Sequence, residues 1–407
     1  MNNFRYYLLL LLIIFIFQVK CKKNDSIAIL NNLNGTYDYN NEIDILFANI
    51  KFLKNDNDNN YAFLNLPKKV ANYNNSTFGK YNNRQFEKWP NNKEDFYSIV
   101  DFEFDEDENI YLLDEKNDNT TVFLYKYNIN REMKANFTFS KNVSDSLTNL
   151  VIDKINNYAY ISFYNNANNI EAGIFVKELK VNNNNCRRLV LKETLLLYDE
   201  KYNFTNELFN NFPGIQKKVI SIALSCDGKY LLFSPLSSRM IYSIKTKKLR
   251  DSTKEFISIN DVNAAYKNDS SSSLVFSNMG NLYLTGMENK KIYLGNQIDS
   301  NLAVFDFKIL DKREDNSMEW PTKLSITDGV LYINSKKIEK NTVYTYIYKT
   351  LIDDDKSYIY KCAGIGYNWK IIAYIFWGIL ILIIILVLIF MIIGNELDKN
   401  INIKKNK

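Results

Sequence analysis

An all-β fold is predicted by three features of this 407-residue sequence. Aromatic residues make up 14% of it, mostly Tyr and Phe, which favour strands over helices. One pattern returns at five places: an apolar pair, a polar turn with Asp, Asn or Gly, then an aromatic-bearing strand. Only 5 prolines and 13 glycines are present, so the turns are made largely by Asn and Asp, which tolerate left-handed backbone and hydrogen-bond their own turns.

The five places are Phe104-Asp105 to Tyr111-Leu112-Leu113, Ile152-Asp153 to Tyr160-Ile161-Ser162, Leu224 to Leu232-Phe233-Ser234, Val275-Phe276 to Leu282-Tyr283-Leu284, and Leu324-Ser325-Ile326 to Leu331-Tyr332-Ile333. Each reads as a hairpin. With Asp105, Asp153, Asp227, Asn278 and Asp328 as markers, the intervals are 48, 74, 51 and 50 residues, so the second holds an insertion of roughly 25. Strand-only periods of this length point to blades, each a four-stranded sheet that buries both faces by stacking on its neighbours around a channel. Residues from about 28 to 95 supply one more, giving a six-bladed β-propeller over 28–350. An array of β-sandwiches is the alternative, but it leaves the period unexplained, because immunoglobulin-like domains need about 100 residues each.

Two apolar segments frame this ectodomain. Arg5 precedes Tyr6 to Phe17, twelve apolar residues too few to span a bilayer, and the pattern reads as a signal peptide over 1–21 cleaved near Cys21. A short buried helix is the alternative. Ile371 to Ile393 gives 23 residues without a charge, enough to cross the hydrocarbon core as a C-terminal transmembrane helix. Trp369, Tyr374 and Trp377 cluster at its start, where amphipathic rings prefer the headgroup level. A juxtamembrane linker over 351–370 and a cytoplasmic tail over 394–407 complete a single-pass type I arrangement. It places the propeller outside the cytosol, in the secretory pathway or at the plasma membrane.

Composition narrows the chemistry. The net charge of +5 is small and scattered, which argues against a nucleic-acid partner. Histidine is absent, which removes Ser-His-Asp and Cys-His activation and every metal site that needs an imidazole. No Gly-rich phosphate loop occurs, cysteine is sparse, and the stretch Asp101 to Glu108 lacks the spacing of a calcium loop and reads as a solvated turn. No cofactor or metal is expected. Cys186, Cys226 and Cys362 remain after cleavage; a Cys186–Cys226 bridge is possible, and Cys362 either links two chains or stays a buried thiol. Acceptor sequons for N-glycosylation occur at Asn24, Asn34, Asn74, Asn75, Asn119, Asn136, Asn142, Asn203 and Asn268, all on the exoplasmic side.

The run Ile222-Ala223-Leu224-Ser225-Cys226-Asp227-Gly228-Lys229-Tyr230-Leu231-Leu232-Phe233-Ser234-Pro235-Leu236-Ser237-Ser238-Arg239, with Ile241-Tyr242 and Leu249-Arg250-Asp251 after it, closely resembles the major royal jelly protein and Yellow family. Three further segments agree in order: Val100-Asp101 with Asn109-Ile110-Tyr111-Leu112-Leu113-Asp114, Leu150-Val151-Ile152-Asp153 with Ala159-Tyr160-Ile161-Ser162, and Trp320-Pro321 with Leu324-Ser325-Ile326. The resemblance covers about 65 to 345 and implies a six-bladed propeller. It also implies, from some family members, melanin-pathway chemistry or biogenic-amine binding at the propeller mouth. Thr148-Asn149 stands where the family commonly has Asn-Asp, Ser162-Phe163 where it has Ser-Asp, and Ser335-Lys336 where it has Ser-Asn. Two acidic positions are thereby lost, and Lys336 would repel an amine if it faced the channel.

The channel candidates are Asp101, Asp105, Asp114, Asp153, Ser234, Asn278 and Ser335, joined by Lys336. Turn aspartates such as Asp105, Asp153, Asp227 and Asp328 are expected to satisfy local backbone donors. Asp114, Ser234 and Ser335 sit inside or at the end of strands, where a polar residue needs a partner or a pocket. Arg239 is expected to pack on neighbouring strand carbonyls. The runs Asn55 to Asn60, Asn182 to Asn185 and Asp269 to Ser273 read as polar surface loops between strands or blades. The expected function is non-catalytic binding of a small molecule or extracellular protein by a membrane-anchored propeller. The alternatives are a dopachrome-conversion-like enzyme with Asp114 as base, and an adhesion or structural surface protein.

Overall fold

The structure is a computed structural model. It describes residues 26–27, 50–54, 60–66, 77–82, 85–89, 96–105, 107, 109–116, 118–165, 171–180, 184–192, 195, 220–236, 238–267, 269–277, 280–297, 305–312, 318, 320–327, 329–339 and 342–352. The signal segment 1–21, residues 196–219 and the apolar segment Ile371–Ile393 lie outside the described residues. Among the described residues no helix is long and apolar enough to cross a membrane.

Six antiparallel sheets follow one another along the chain. Sheet 1 holds β2 (Ile50–Lys54), β3 (Asn60–Leu66), β4 (Thr77–Asn82) and β5 (Gln85–Lys88). Sheet 2 holds β6 (Ile99–Phe104), β7 (Ile110–Glu115), β8 (Thr121–Tyr127) and β9 (Met133–Ser140). Sheet 3 is β10 (Asp145–Asp153), β11 (Tyr158–Asn165), β12 (Ala172–Glu178) and β13 (Cys186–Leu191). Sheet 4 has β14 (Ile220–Leu224), β15 (Tyr230–Pro235), β16 (Met240–Lys245) and β18 (Val262–Tyr266). A short helix, α1 (Thr246–Arg250), and β17 (Phe256–Ile257) interrupt it, and β17 adds in parallel to the edge of sheet 3. Sheet 5 comprises β19 (Leu274–Phe276), β20 (Leu282–Gly286), β21 (Lys291–Gln297) and β22 (Phe305–Lys312). Sheet 6 comprises β23 (Trp320–Thr327), β24 (Val330–Glu339) and β25 (Thr342–Leu351), and the N-terminal strand β1 (Ser26–Ile27) supplies its outer strand.

The first strands of successive sheets pack side by side, β6 on β10, β10 on β14, β14 on β19 and β19 on β23, and β2 returns to β23. The order is cyclic, and the arrangement is propeller-like. All five predicted hairpins are the first two strands of sheets 2 to 6. Their turns define a hairpin face; the links from one sheet to the next lie at the other end, on the connection face. Asp105, Asp153 and Asp227 occupy three of these turns, while Asn278 and Asp328 lie outside the described residues. The described strands of sheet 1 fall within the expected 28–95, and residues 26–27, just before it, pair with β25. That pairing joins the two ends of the propeller-like unit through one sheet.

Alternation along each second strand builds the core. In β7, Leu112 packs with Phe78, Trp89 and Phe102 toward sheet 1, while Tyr111 and Leu113 pack with Leu150 and Ile161 toward sheet 3. In β15, Leu231 and Phe233 face Tyr160 and Ile174 of sheet 3, and Leu232 faces Leu274 and Leu284 of sheet 5. Tyr283 of β20 completes the series against Leu324 and Ile333 of sheet 6. Successive residues point to opposite faces, so a sheet buried on both sides reads as an unbroken apolar run. A slip of one residue would exchange the two interfaces.

Candidate functional site

Polar side chains on the first strands, or just before them, tie sheets 2 to 6 one to the next. Asp101 Oδ2 accepts from the Leu150 amide at 2.8 Å, and Asn149 Nδ2 donates to the Ile220 carbonyl at 2.9 Å. Ser221 Oγ accepts from the Leu274 amide and Ser273 Oγ from the Leu324 amide, at 3.0 and 3.1 Å. The relay thus runs from sheet 2 to sheet 6 in one sense, and all four donors or acceptors are buried. Each link satisfies a backbone group on a strand edge that no further strand covers.

One contact crosses the ring instead of following it. Lys323 of β23 donates through Nζ to Asn149 Oδ1, joining sheet 6 to sheet 3, three steps away in a cycle of six. Because Asn149 Nδ2 is committed to the Ile220 carbonyl, its Oδ1 is the atom left to accept an ammonium proton. Asn149 is one of the positions where this chain departs from the family pattern. Its neutral amide there receives a cation of the protein's own.

A second set of polar residues occupies the connection-face end of the second strands. Asp114 accepts from the amides of Tyr97 and Ser98, at 3.0 and 2.5 Å. Ser162 Oγ accepts from the Asn149 amide, Thr285 Oγ1 from the amides of Ser272 and Ser273, and Ser335 Oγ from the Trp320 amide. Ser234 Oγ donates to the carbonyls of Pro235 and Met240. All five side chains are fully buried. In sheets 2, 3 and 6 a bulge in the first strand lies beside them, and the side chain takes up an amide that the interrupted ladder leaves over. The polar residue in an apolar run therefore has a partner, and the partner is backbone. Asp114, Ser234 and Ser335, expected at a channel site, present no surface to a ligand. Asn278 lies outside the described residues, and Lys336 is placed at the Trp320 register in β24.

Three sequence expectations are corrected. The stretch Asp101 to Glu108 is not solvated throughout: Asp107 is exposed, but Asp101, Glu103 and Asp105 are buried, and Asp105 binds the Asn109 amide and side chain, with Lys126 at 3.4 Å. Asp269 to Ser273 is not a surface loop. It links sheets 4 and 5 wholly buried, Ser272 Oγ donating to the carbonyls of Pro321 and Thr322 and Asp269 accepting from the amides of Glu288 and Asn289. Hydroxyls satisfy this backbone in place of water, a role that serine-rich composition disguises as solvent affinity. Nor are Cys186 and Cys226 paired: Cys186 is a free thiol and Cys226 is bonded elsewhere. Burial pushes the Cys186 thiol up to about 12, so it is a poor nucleophile. Arg239 donates to the Tyr266 hydroxyl at 3.0 Å.

Lys267, at the start of that buried link, was not anticipated. It is fully buried, its Nζ has no hydrogen-bond partner among the described residues, and burial lowers it to about 7 against the pull of Asp269 and Glu288. The signal in the sequence is faint, since a lysine before Asn-Asp-Ser reads as solvated. Asp269 fits beneath Gly286, where a Cβ would meet its carboxylate at 2.5 Å. Among the described residues no group of three metal-ligating side chains occurs.

A cyclic stack of six sheets, five of four strands and one of five, knitted by a polar relay, defines a propeller-like protein. Residues 136–353 match the family described as Major royal jelly protein, and the chain belongs to that family. Among solved structures, it is similar to a luciferin-regenerating enzyme at 10% identity and a TM-score of 0.47, covering 83% of this chain and 98% of that one. The calcium-binding protein regucalcin from Agrobacterium tumefaciens gives 7% identity and a TM-score of 0.42, over 77% and 94% of the two chains. A periplasmic gluconolactonase of Pseudomonas aeruginosa gives 10% and 0.42, over 69% and 93%. No curated protein matches the chain.

Proposed function

We propose that this chain is a non-catalytic binding protein of the royal jelly class, a six-bladed propeller held at the exoplasmic face of a membrane, that recognises a protein partner through its outer connections. The observation that carries the reading is the use of the inner polar residues. Asp101, Asn149, Ser221 and Ser273 bind the neighbouring sheet, and Lys323 spans the axis onto Asn149. A small ligand entering the axis would have to part Lys323 from Asn149. The tautomerase alternative fares no better, since both oxygens of Asp114 are engaged by amides at a buried site. Anchoring rests on the apolar segments at the two ends of the sequence, Tyr6–Phe17 and Ile371–Ile393.

The test is a thermal-shift screen of the full chain in detergent against aromatic amines, dopachrome-like quinones, sugars and anions. A ligand at 100 times its Kd stabilises by about 2.7 kcal/mol, a readily seen shift. The expected result is no shift and no quinone turnover. A shift lost in Asn149→Ala or Lys323→Met would overturn the reading in favour of a small-molecule site on the axis.

A further inference from the structure

We propose that the outer edge of sheet 2 is a glycosylated edge, carrying N-linked oligosaccharides on Asn119, Asn136 and Asn142. The inference rests on the exoplasmic placement of the propeller. Of the nine sequons, these three have their asparagine among the described residues, and all three asparagines are exposed. They were scattered readings in the sequence; the fold gathers them. Asn136 stands on β9, the outermost strand of sheet 2, and Asn142 follows that strand by two residues. Asn119 lies in the β7–β8 turn with a positive φ of 55°. The Lys141 amide donates to the Thr120 carbonyl at 2.8 Å, so the sequons of Asn119 and Asn142 are direct neighbours.

The same edge bares apolar side chains. Met133, at the start of β9, is 48% exposed, and Val143, the middle residue of the Asn142 sequon, is 66% exposed. An open strand edge with apolar neighbours is a template for pairing with another chain. Other edges are managed by different means: β17 extends sheet 3, β1 covers sheet 6, and β22 carries Asp306 and Lys308. For β9, a hydrophilic oligosaccharide on each flank performs that function. In the transfer, the asparagine Nδ2 loses a proton and bonds to the anomeric carbon of a lipid-pyrophosphate-linked oligosaccharide, and the lipid pyrophosphate departs with the electron pair of the broken C–O bond. Partner docking is thereby displaced from sheet 2 to the connections of the remaining sheets.

The experiment expresses the full chain in a eukaryotic secretory host, scores its exposure by surface biotinylation, and releases glycans with peptide N-glycosidase in heavy-oxygen water. The expected result is labelled aspartate at 119, 136 and 142, with one step of gel mobility lost in each of Asn119→Gln, Thr138→Ala and Ser144→Ala. The last two spare the asparagine and change only the acceptor motif. Enzymatic removal of the glycans from the folded chain should raise self-association, read by light scattering. A chain that reaches the surface with these three asparagines unlabelled overturns the glycosylated edge and leaves the exoplasmic reading standing. A chain that is neither biotinylated nor labelled overturns both.

Discussion

The joint between sheets 3 and 4 and the joint between sheets 4 and 5 solve one problem with opposite chemistry. At the first, Arg250 of α1 reaches back to Asp153 and the Tyr160 hydroxyl, at 3.3 and 3.1 Å, and Arg187 of sheet 3 covers the carbonyls of Leu249 and Asp251 at the end of the helix. At the second, a neutral belt from Ser270 to Ser273 binds Thr285 and the backbone of sheet 6, and the one cation, Lys267, has no hydrogen-bond partner among the described residues. The apolar packing is alike in both, with interleaved Leu, Ile and aromatic side chains. What differs is whether a buried charge meets its opposite. A paired buried charge costs much when one partner is removed, whereas an unpaired one is released as a cost.

That contrast can be broken most forcefully at Asp153. Asp153→Ala leaves Arg250 against a buried hydroxyl with no carboxylate, and should destabilise by about 3–5 kcal/mol in chemical denaturation, whereas the double variant Asp153→Asn, Arg250→Met should recover part of the loss. If the single change costs no more than a surface substitution, the charged joint is ornamental. The neutral joint is tested next by Thr285→Val, which strips the acceptor from two buried amides and should cost about 2 kcal/mol.

Smallest and opposite in sign is Lys267→Met, which removes the buried amine and should stabilise by about 1–2 kcal/mol at neutral pH. Its signature is the pH dependence. Between about 7, where folded Lys267 titrates, and its ordinary value of 10.5, the unfolded chain holds a proton that the folded chain has lost. The unfolded state binds more protons there, so stability contributed by this residue rises with pH across that window and is level below it. The titratable groups that face or adjoin it, Asp269, Glu288, Tyr293 and Tyr266, are retained in the variant. The wild-type slope between 7 and 10.5 should therefore flatten in Lys267→Met; an unchanged slope would assign it to other groups.

Much of the architecture was legible because it follows from local pattern. The hairpins at Asp105, Asp153 and Asp227 are set by a turn between two strands a few residues apart, and Gly228, at φ 67°, takes the left-handed position its turn requires. The candidate site was not legible to the same degree. Asp114, Ser234 and Ser335 were found as polar residues in apolar runs, but that rule does not say whether the partner is a ligand or a backbone amide. Likewise Asp269 to Ser273 has the composition of a surface loop, and only the neighbouring sheets show it to be buried.

From sequence alone came the all-β class, the repeat of about 50 residues, the hairpin positions and the family, because period-2 burial and turn chemistry act over short stretches of chain. Tertiary structure alone decided that β1 pairs with β25, that Lys323 meets Asn149 from 174 residues away, and that Lys267 is buried with no hydrogen-bond partner among the described residues. Those facts depend on which strands a cyclic stack brings side by side, and burial is a property of the neighbours, which no window of sequence contains.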